Sequence, residues 1–504
     1  MVGMAMRILL FHMNVTDSQA ENPGLAIISA CLKQKGHKVM GIRVHGQPID
    51  YDSIREFNPD IAGFSAVSAQ YKYIKPIADK LTCPVIIGGS HATLVPEKIL
   101  QDFDMVCVGD GEEAFMTIAD KFDKGLDYTD TNNIWTKTKR NEVYPLSIHP
   151  DDLPFFDRDL FDQFDTIGKR DYSLTMFAGR GTCAFNCPYC KNNKLHKLYK
   201  TKQPYRFRTP NNIFKEIAEV AKRSKIKRIK FVDDLFTMDR DWVLDFCKRY
   251  PFDYEWNCLT RVGFLDRELC EALKDGGCGE VRLGIESGSD RVRTEVLNRK
   301  MSNEAIVDTI KMIKDAGLRV MTLNILGSPT ETKDELMETI KINSVTRPYA
   351  MRTSILYPYE GTDMYEMTKD IINVERYANS NTYFDTTPLD LKDITPAEVN
   401  RYRHMFRWYV DASSNIEASP IFKALIKCFE ALPQDMWLTG EAQKLFDDAD
   451  SELDKILREN KMEHYVMQGY KNDYCEINYA KETGYDSLFW NLYEKVAEVA
   501  EPKE

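Results

Sequence analysis

Short apolar runs alternate with stretches of helical period from the start of the chain. Residues 7–11, 39–44, 61–65, 84–89 and 105–109 read as buried strands. A helix is predicted over residues 24–32, closed by Gly36. Strands alternating with helices predict a doubly wound parallel sheet. In such a sheet a ligand sits outside the carboxyl ends of the strands. Those ends carry Ser65-Ala66-Val67-Ser68, Gly88-Gly89-Ser90-His91-Ala92-Thr93 and Gly109-Asp110-Gly111-Glu112. Small residues there let a large planar ligand approach the backbone. A nucleotide-binding fold fits the same pattern, since glycine pairs alone are a weak signal.

From Ser173 the pattern becomes strand, loop, helix, repeated. Strands are predicted at 173–178, 228–232, 254–258, 280–285, 320–326 and 352–356, with amphipathic helices between them such as 303–316. Six such units predict a partial (β/α)6 barrel, with its chemistry at the carboxyl ends of the strands. Residues 125–169 are less regular. A hairpin is predicted between 133–135 and 143–144, followed by an acidic, proline-containing linker at 151–157. Beyond 365 the pattern is mostly helical. Thr395 and Pro396 open a helix that continues through Trp408 and Tyr409, whose aromatics read as core. The expected α/β organisation is therefore an N-terminal Rossmann-like domain (1–125), a linker (126–170), the partial barrel (171–364) and a mostly helical C-terminal domain (365–504).

Composition narrows the setting. Of 504 residues, 43% are hydrophobic and 29% charged, which suits a globular protein. The net charge of −11 argues against a nucleic-acid partner, which would need a basic face. The basic run 222–228 reads as a solvated helix end. No apolar run approaches the ~20 residues of a membrane span. The apolar run at 6–11 reads as a first strand, not a signal peptide. Twelve cysteines are present, only three of them closely spaced, which fits reduced thiols and a cytoplasmic location.

Those three stand in Gly179-Arg180-Gly181-Thr182-Cys183-Ala184-Phe185-Asn186-Cys187-Pro188-Tyr189-Cys190. Such a loop can wrap three thiolates around one soft metal centre. On a cubane iron–sulfur cluster, three thiolates leave one iron open to a non-protein ligand. Structural zinc would close with a fourth Cys or His, and His196, the one rival, suits no common zinc spacing.

This loop and its surroundings resemble the radical S-adenosylmethionine (radical SAM) enzymes. The resemblance implies a 4Fe-4S cluster on Cys183, Cys187 and Cys190. Its open iron would bind S-adenosylmethionine (SAM), and one electron would cleave SAM to a 5'-deoxyadenosyl radical. Glu286 matches a family position that hydrogen-bonds SAM, most often its ribose; a carboxylate can accept from two hydroxyls. Asp233 and Asp234 match an element near the SAM amino group, and a helix cap is an equal reading for either. Residues 327–332 match the loop that packs the adenosine, with a tight turn and helix cap as the plainer reading. Asn324, on the preceding strand, is counted with the cofactor contacts. Tyr357, in the loop that ends the last strand, reads as packing more readily than as a substrate contact.

The N-terminal third is similar to the cobalamin-binding domain that precedes the cluster loop in one radical SAM subfamily. The matching pieces are Pro23-Gly24-Leu25, Gly88 to Thr93, and Gly109 to Glu112. The implied cobalamin contacts are Ser65, Gln70, Gly88, Gly89, Ser90, His91, Thr93, Gly109 and Glu112. The Asp-x-His-x-x-Gly signature is absent, so no histidine lower ligand to cobalt is expected from this domain. His91 reads as packing around the nucleotide tail, with metal ligation as the alternative.

The resemblance implies methyl transfer from methylcobalamin to an unactivated carbon, with an external electron donor such as flavodoxin or ferredoxin. A cobalamin-dependent cyclase or rearrangement enzyme is one alternative. A radical SAM enzyme with an empty cobalamin domain is another, and a non-catalytic cobalamin- or redox-responsive binding protein a third. The substrate, small molecule or protein side chain, is not legible.

Overall fold

The computed structural model describes residues 5–14, 21–169, 172–199, 205–380, 384, 386–468 and 474–478. By its internal contacts the chain forms two compact units. One comprises residues 1–256 with 358–366, the other 257–357 with 367–504.

The first unit opens on β1 (Arg7–Met13), β2 (Lys38–Val44), β3 (Ile61–Ser65), β4 (Val85–Gly88), β5 (Met105–Cys107) and β6 (Ile134–Thr136). Their spatial order is β2-β1-β3-β4-β5-β6. β1 to β5 run parallel and β6 antiparallel. Helices cover both faces, which is why these strands are apolar almost throughout. Phe11 and Phe64, opposite one another in register, stack at 4.3 Å on one face. Leu10, Ile86 and Met105 fill the core of the other. The first helix, Pro23–Gln34, is capped by the Asn22 side chain, which accepts from Leu25 N–H at 3.1 Å.

The same unit contains β7 (Ser173–Met176) and, past β8 (Gly179–Arg180) and β9 (Arg206–Phe207), β10 (Arg228–Phe231). β7 and β10 pair in parallel; β8 and β9 form a short antiparallel pair flanking the cysteine loop. A buried ion-pair chain anchors the connector here. The Glu216 carboxylate takes Arg158 at 3.2 Å and Arg208 at 2.7 Å. Two guanidiniums on one carboxylate compensate a charge that burial alone would make costly.

The division between units falls inside β11 (Glu255–Thr260). In the second unit β12 (Cys278–Glu286), β13 (Arg319–Leu326) and β14 (Ala350–Ile355) run parallel. An antiparallel hairpin, β15 (His464–Gln468) and β16 (Tyr474–Asn478), extends this sheet from β14, with Met351 opposite Cys475. Helices between Pro396 and Glu459 cover it. Trp408 is fully buried there, edge-on to Phe446 at 4.7 Å and Phe429 at 5.6 Å, so the aromatics of this segment are core as expected.

The expected fold class is present: a doubly wound N-terminal sheet, a six-strand α/β run (β7, β10 to β14) and a mostly helical C-terminal region. Three details differ from expectation. Residues 133–144 do reverse, with Trp135 bridging Arg140, but β6 pairs with β5 and becomes a sixth strand of the first sheet. The hairpin β15–β16 was not foreseen. The helix opened by Thr395 ends at His404 and restarts at Phe406. At that break the His404 ring nitrogen Nδ1 pairs with the Asn400 carbonyl at 2.9 Å, and Arg407 donates to the His404 carbonyl at 3.1 Å. Such side-chain bonds compete with the helical ladder. Residues 479–504 of the expected C-terminal domain lie outside the described residues. Among those described, no helix is long and apolar enough to cross a membrane.

Candidate functional site

The three-cysteine loop joins β8 to the helix Lys191–Leu198. Cys190 occupies the N-cap position in extended backbone and makes no side-chain capping bond. Its N–H donates to the Cys187 carbonyl at 3.1 Å, so a tight turn carries both thiols. Cys187 is buried, and Cys183 and Cys190 are half-buried. Burial first, with Asp234 and Cys187 nearby, pushes the Cys190 thiol up to about 11 against a backbone N–H of Asn192. His196, the one rival ligand, pairs through Nε2 with the Cys183 carbonyl. The donor set on this loop is therefore three thiols and no imidazole, which fits a cluster with one open iron. Among the described residues no three His, Cys, Asp or Glu groups already stand as a closed metal cage. The thiols share one loop but are not clamped together.

Two aspartates after β10 brace that loop. Asp233 is buried and accepts from Ala178 N–H at 2.9 Å, from Gly179 N–H at 3.0 Å and from the Tyr205 hydroxyl. Burial raises its carboxyl to about 6, opposed by these same donors. Its oxygens are thus committed to the strand leading into the cysteines. Asp234 accepts from Asn192 Nδ2 at 2.8 Å, on the helix that follows them. Neither makes a helix cap; the 3-10 turn Phe236–Met238 has no side-chain capping bond.

The loop is also tied to the first sheet. Arg180, just ahead of Cys183, pairs with the buried Glu112 and lies 3.5 Å from Asp110. Tyr199, just past the helix after Cys190, donates to Asp110 at 3.0 Å. The helix Ser90–Leu94 packs against the helix Lys191–Leu198. Residues 358–366 add a strap. Asp363 accepts from Asn193 at 2.7 Å, Met364 N–H donates to the Pro188 carbonyl at 2.9 Å, and Lys98 pairs with Glu360 at 2.6 Å. Gly361, at φ 86°, lies so close to the Leu94 backbone that a Cβ would not fit.

At the carboxyl edge of the first sheet the strand order reverses direction about β1, and there a ligand crevice is expected. Ser65 sits on that edge, in register with His12 on one side and Gly88 on the other. Gly89 takes φ 93°, and a Cβ on it would fall 2.8 Å from the Ala66 carbonyl and 3.0 Å from Ser65 Oγ. The result is a shelf free of bulky side chains. Thr93 stitches it, donating to the Gly89 carbonyl and accepting from Gly109 N–H, both at 3.0 Å. His91 is buried; its Nδ1 pairs with Ser68 Oγ at 3.0 Å and its ring lies 4.7 Å from Tyr71. Burial holds it neutral, down to about 4, and its Nε2 has no hydrogen-bond partner. Ser90 opens the helix beside it, Gln70 faces the Val67 N–H at 3.5 Å, and the Val67 side chain is exposed. A bare shelf, an exposed apolar side chain and an orphaned buried nitrogen fit a large planar cofactor with polar edges. Glu112 turns instead toward Arg180.

In the second unit Glu286 ends β12 at φ 67°, after a register slip from Gly284. A left-handed non-glycine residue at a strand end marks a constrained position. Arg299 lies 3.6 Å from its carboxylate and donates to the Gly284 carbonyl at 2.6 Å, and a Cβ on Gly284 would collide with Glu286. Asn324 is buried; its Oδ1 accepts from Asn343 at 2.8 Å and its Nδ2 faces Thr322 and the Arg352 carbonyl. Glu331 closes the 327–332 loop, accepting from Gly327 N–H at 2.7 Å and Ser328 N–H at 3.1 Å. Tyr357 stacks on Tyr377 at 5.0 Å, in keeping with packing. The roles of Arg180, Asp110 and Tyr199 escaped sequence reasoning, although Arg180 and Asp110 stand within the cysteine-loop and Gly109–Glu112 motifs. No local periodicity pairs residues so distant in the chain.

The chain matches known proteins throughout these regions. The model of the radical SAM superfamily matches residues 181–342, and that of the B12 binding domain residues 12–119. An uncharacterized methyltransferase of Pyrococcus horikoshii is 29% identical over 371 residues, 68% of this chain and 77% of its own. The anaerobic magnesium-protoporphyrin IX monomethyl ester cyclase of Cereibacter sphaeroides is 24% identical over 446 residues, 80% of this chain and 70% of its own. Among solved structures, the cobalamin-dependent SAM radical enzyme OxsB, with aqua-cobalamin and SAM bound, aligns at a TM-score of 0.64 and 14% identity. That alignment covers 90% of this chain and 72% of OxsB.

Proposed function

Because the chain belongs to the cobalamin-dependent radical SAM enzymes, we propose that it transfers a methyl group to an unactivated carbon of its substrate. The observation that carries this reading is the packing of the shelf helix Ser90–Leu94 against the helix that begins after Cys190. It brings the small-residue shelf of the first sheet, proposed to seat cobalamin, beside the cysteine loop within one unit. When bound, the cluster and SAM supply a carbon-centred radical, and cobalamin supplies a transferable methyl group. Cys183, Cys187 and Cys190 would hold the cluster, and Asp233 and Asp234 would keep their loop in place. Glu286, fixed by its backbone and by Arg299, would accept from the SAM ribose. Ser65, Gly88, Gly89 and His91 would seat the corrin. The reading includes an external one-electron donor, a cytoplasmic location and a C-terminal region that shapes substrate choice. The methyltransferase relative supports it.

The cyclase relative, spanning more of the chain, favours a second reading: ring closure or rearrangement without methyl transfer. Reduced, cluster-loaded protein given cobalamin, methyl-labelled SAM and candidate substrates separates the two. Methyl transfer predicts label in the product together with 5'-deoxyadenosine. Unlabelled product formed with 5'-deoxyadenosine would replace it by the second reading. Cys187→Ala is expected to abolish both the cluster signal and 5'-deoxyadenosine formation.

A further inference from the structure

The turn Gly109-Asp110-Gly111-Glu112 matches a cobalamin-domain motif, yet its carboxylates face elsewhere. Glu112 is buried and pairs with Arg180. Asp110 accepts from the Tyr199 hydroxyl and from Leu146 N–H, both at 3.0 Å. Arg180 stands just before the first cysteine, and Tyr199 just after the helix that follows the third. The turn therefore grips both ends of the loop. On its other side it is tied to the shelf, since Thr93 accepts from Gly109 N–H and donates to the Gly89 carbonyl. Gly109, at φ 82°, leaves no gap there, because a Cβ would meet the Tyr199 hydroxyl at 2.9 Å.

We infer that Asp110 and Glu112 form a latch between the cobalamin shelf and the cluster loop, so that filling either site favours filling the other. The inference rests on both cofactors binding as described above. Arg180 and Tyr199 are positioning residues in it; neither needs to touch a cofactor. Burial makes the pair sensitive. Removing Arg180 alone strands the buried Glu112 carboxylate, whereas neutralising both leaves only Asp110, which is partly exposed and held by Tyr199 and Leu146 N–H. Binding linkage is reciprocal, and couplings of this kind run from roughly 5- to 150-fold.

The test is titration of the full-length protein with hydroxocobalamin, followed by visible absorption, with and without the reconstituted cluster. Wild-type protein is expected to bind roughly 5- to 150-fold more tightly when the cluster is present. The charge-neutral pair Arg180→Met with Glu112→Gln is expected to lose most of that difference, since only the Tyr199–Asp110 bond of the latch remains. Tyr199→Phe, which removes one hydroxyl and no charge, should shrink the ratio and serves if the pair variant does not fold. A purely structural role would lower stability without moving this ratio. Wild-type protein that binds equally well in both states overturns the latch, as does a folded pair variant that keeps the difference. Wild-type protein that binds no hydroxocobalamin in either state overturns the cobalamin assignment itself.

Discussion

Glu331 illustrates how burial sets chemistry at single residues. Its carboxyl is pushed up to about 8 by burial, against the two backbone N–H groups it holds. The unfolded chain would titrate it near the ordinary value of about 4.3. The folded state then keeps a proton that the unfolded state releases. Its contribution to stability is complete below about pH 4.3 and is lost as pH rises through about 8. Each pH unit in that window costs up to about 1.4 kcal/mol. Glu331→Gln, with the same shape and no charge, is expected to flatten the fall in melting temperature between about pH 5 and pH 8. Superimposable profiles would mean that Glu331 is ionised at neutral pH. At this scale the sequence was legible where chemistry is local. Cys183, Cys187 and Cys190 stand out by their close spacing, and the resemblance of the surrounding loop supplies their proposed role. The pairing of Arg180 with Glu112 is not, because only the fold brings them together.

Among the elements, the helix Pro396–His404 follows from its own residues. Thr395 accepts from Glu398 N–H at 3.2 Å, and Glu398 accepts from Thr395 N–H at 2.8 Å, a reciprocal cap that satisfies two otherwise unpaired donors. Thr395→Ala is expected to cost about 1 kcal/mol, read as a shift in the denaturant midpoint at unchanged slope. A change below a few tenths would mean that Lys333, paired with Glu398 at 2.6 Å, holds this end without the threonine. Thr395 and Pro396 announced that helix in the sequence. The hairpin β15–β16 had no such signal. Each strand is five residues long, and its partner, β14, lies more than a hundred residues earlier. Strand propensity depends on neighbours across the sheet, so an edge hairpin of this kind is decided by tertiary pairing. The segment of β6 is predicted, and it does bridge back from Trp135 to Arg140; what escapes, for the same reason, is its pairing with β5.

At the scale of the whole molecule, the distribution of groups between the two units has a measurable consequence. The shelf residues, the latch and the three cysteines all belong to the first unit, whereas Glu286, Asn324 and the helices from Pro396 to Glu459 belong to the second. A ligand stabilises what it binds through its affinity for the folded state, by about 2.7 kcal/mol at a hundredfold excess over Kd. Opening of the bound region then slows by roughly a hundredfold in population. Hydrogen exchange of the cluster-loaded protein, with and without hydroxocobalamin, should therefore show new protection at 61–70, 85–94 and 107–112. Through Arg180 and Tyr199 the same protection should reach 178–199, the residues that carry the cysteines. The helices at 396–459 carry none of these groups and should exchange at unchanged rates. Protection at the shelf that stops short of 178–199 would separate cobalamin binding from the latch. Protection spread evenly through 396–459 would mean that the ligand acts on global opening rather than on one unit.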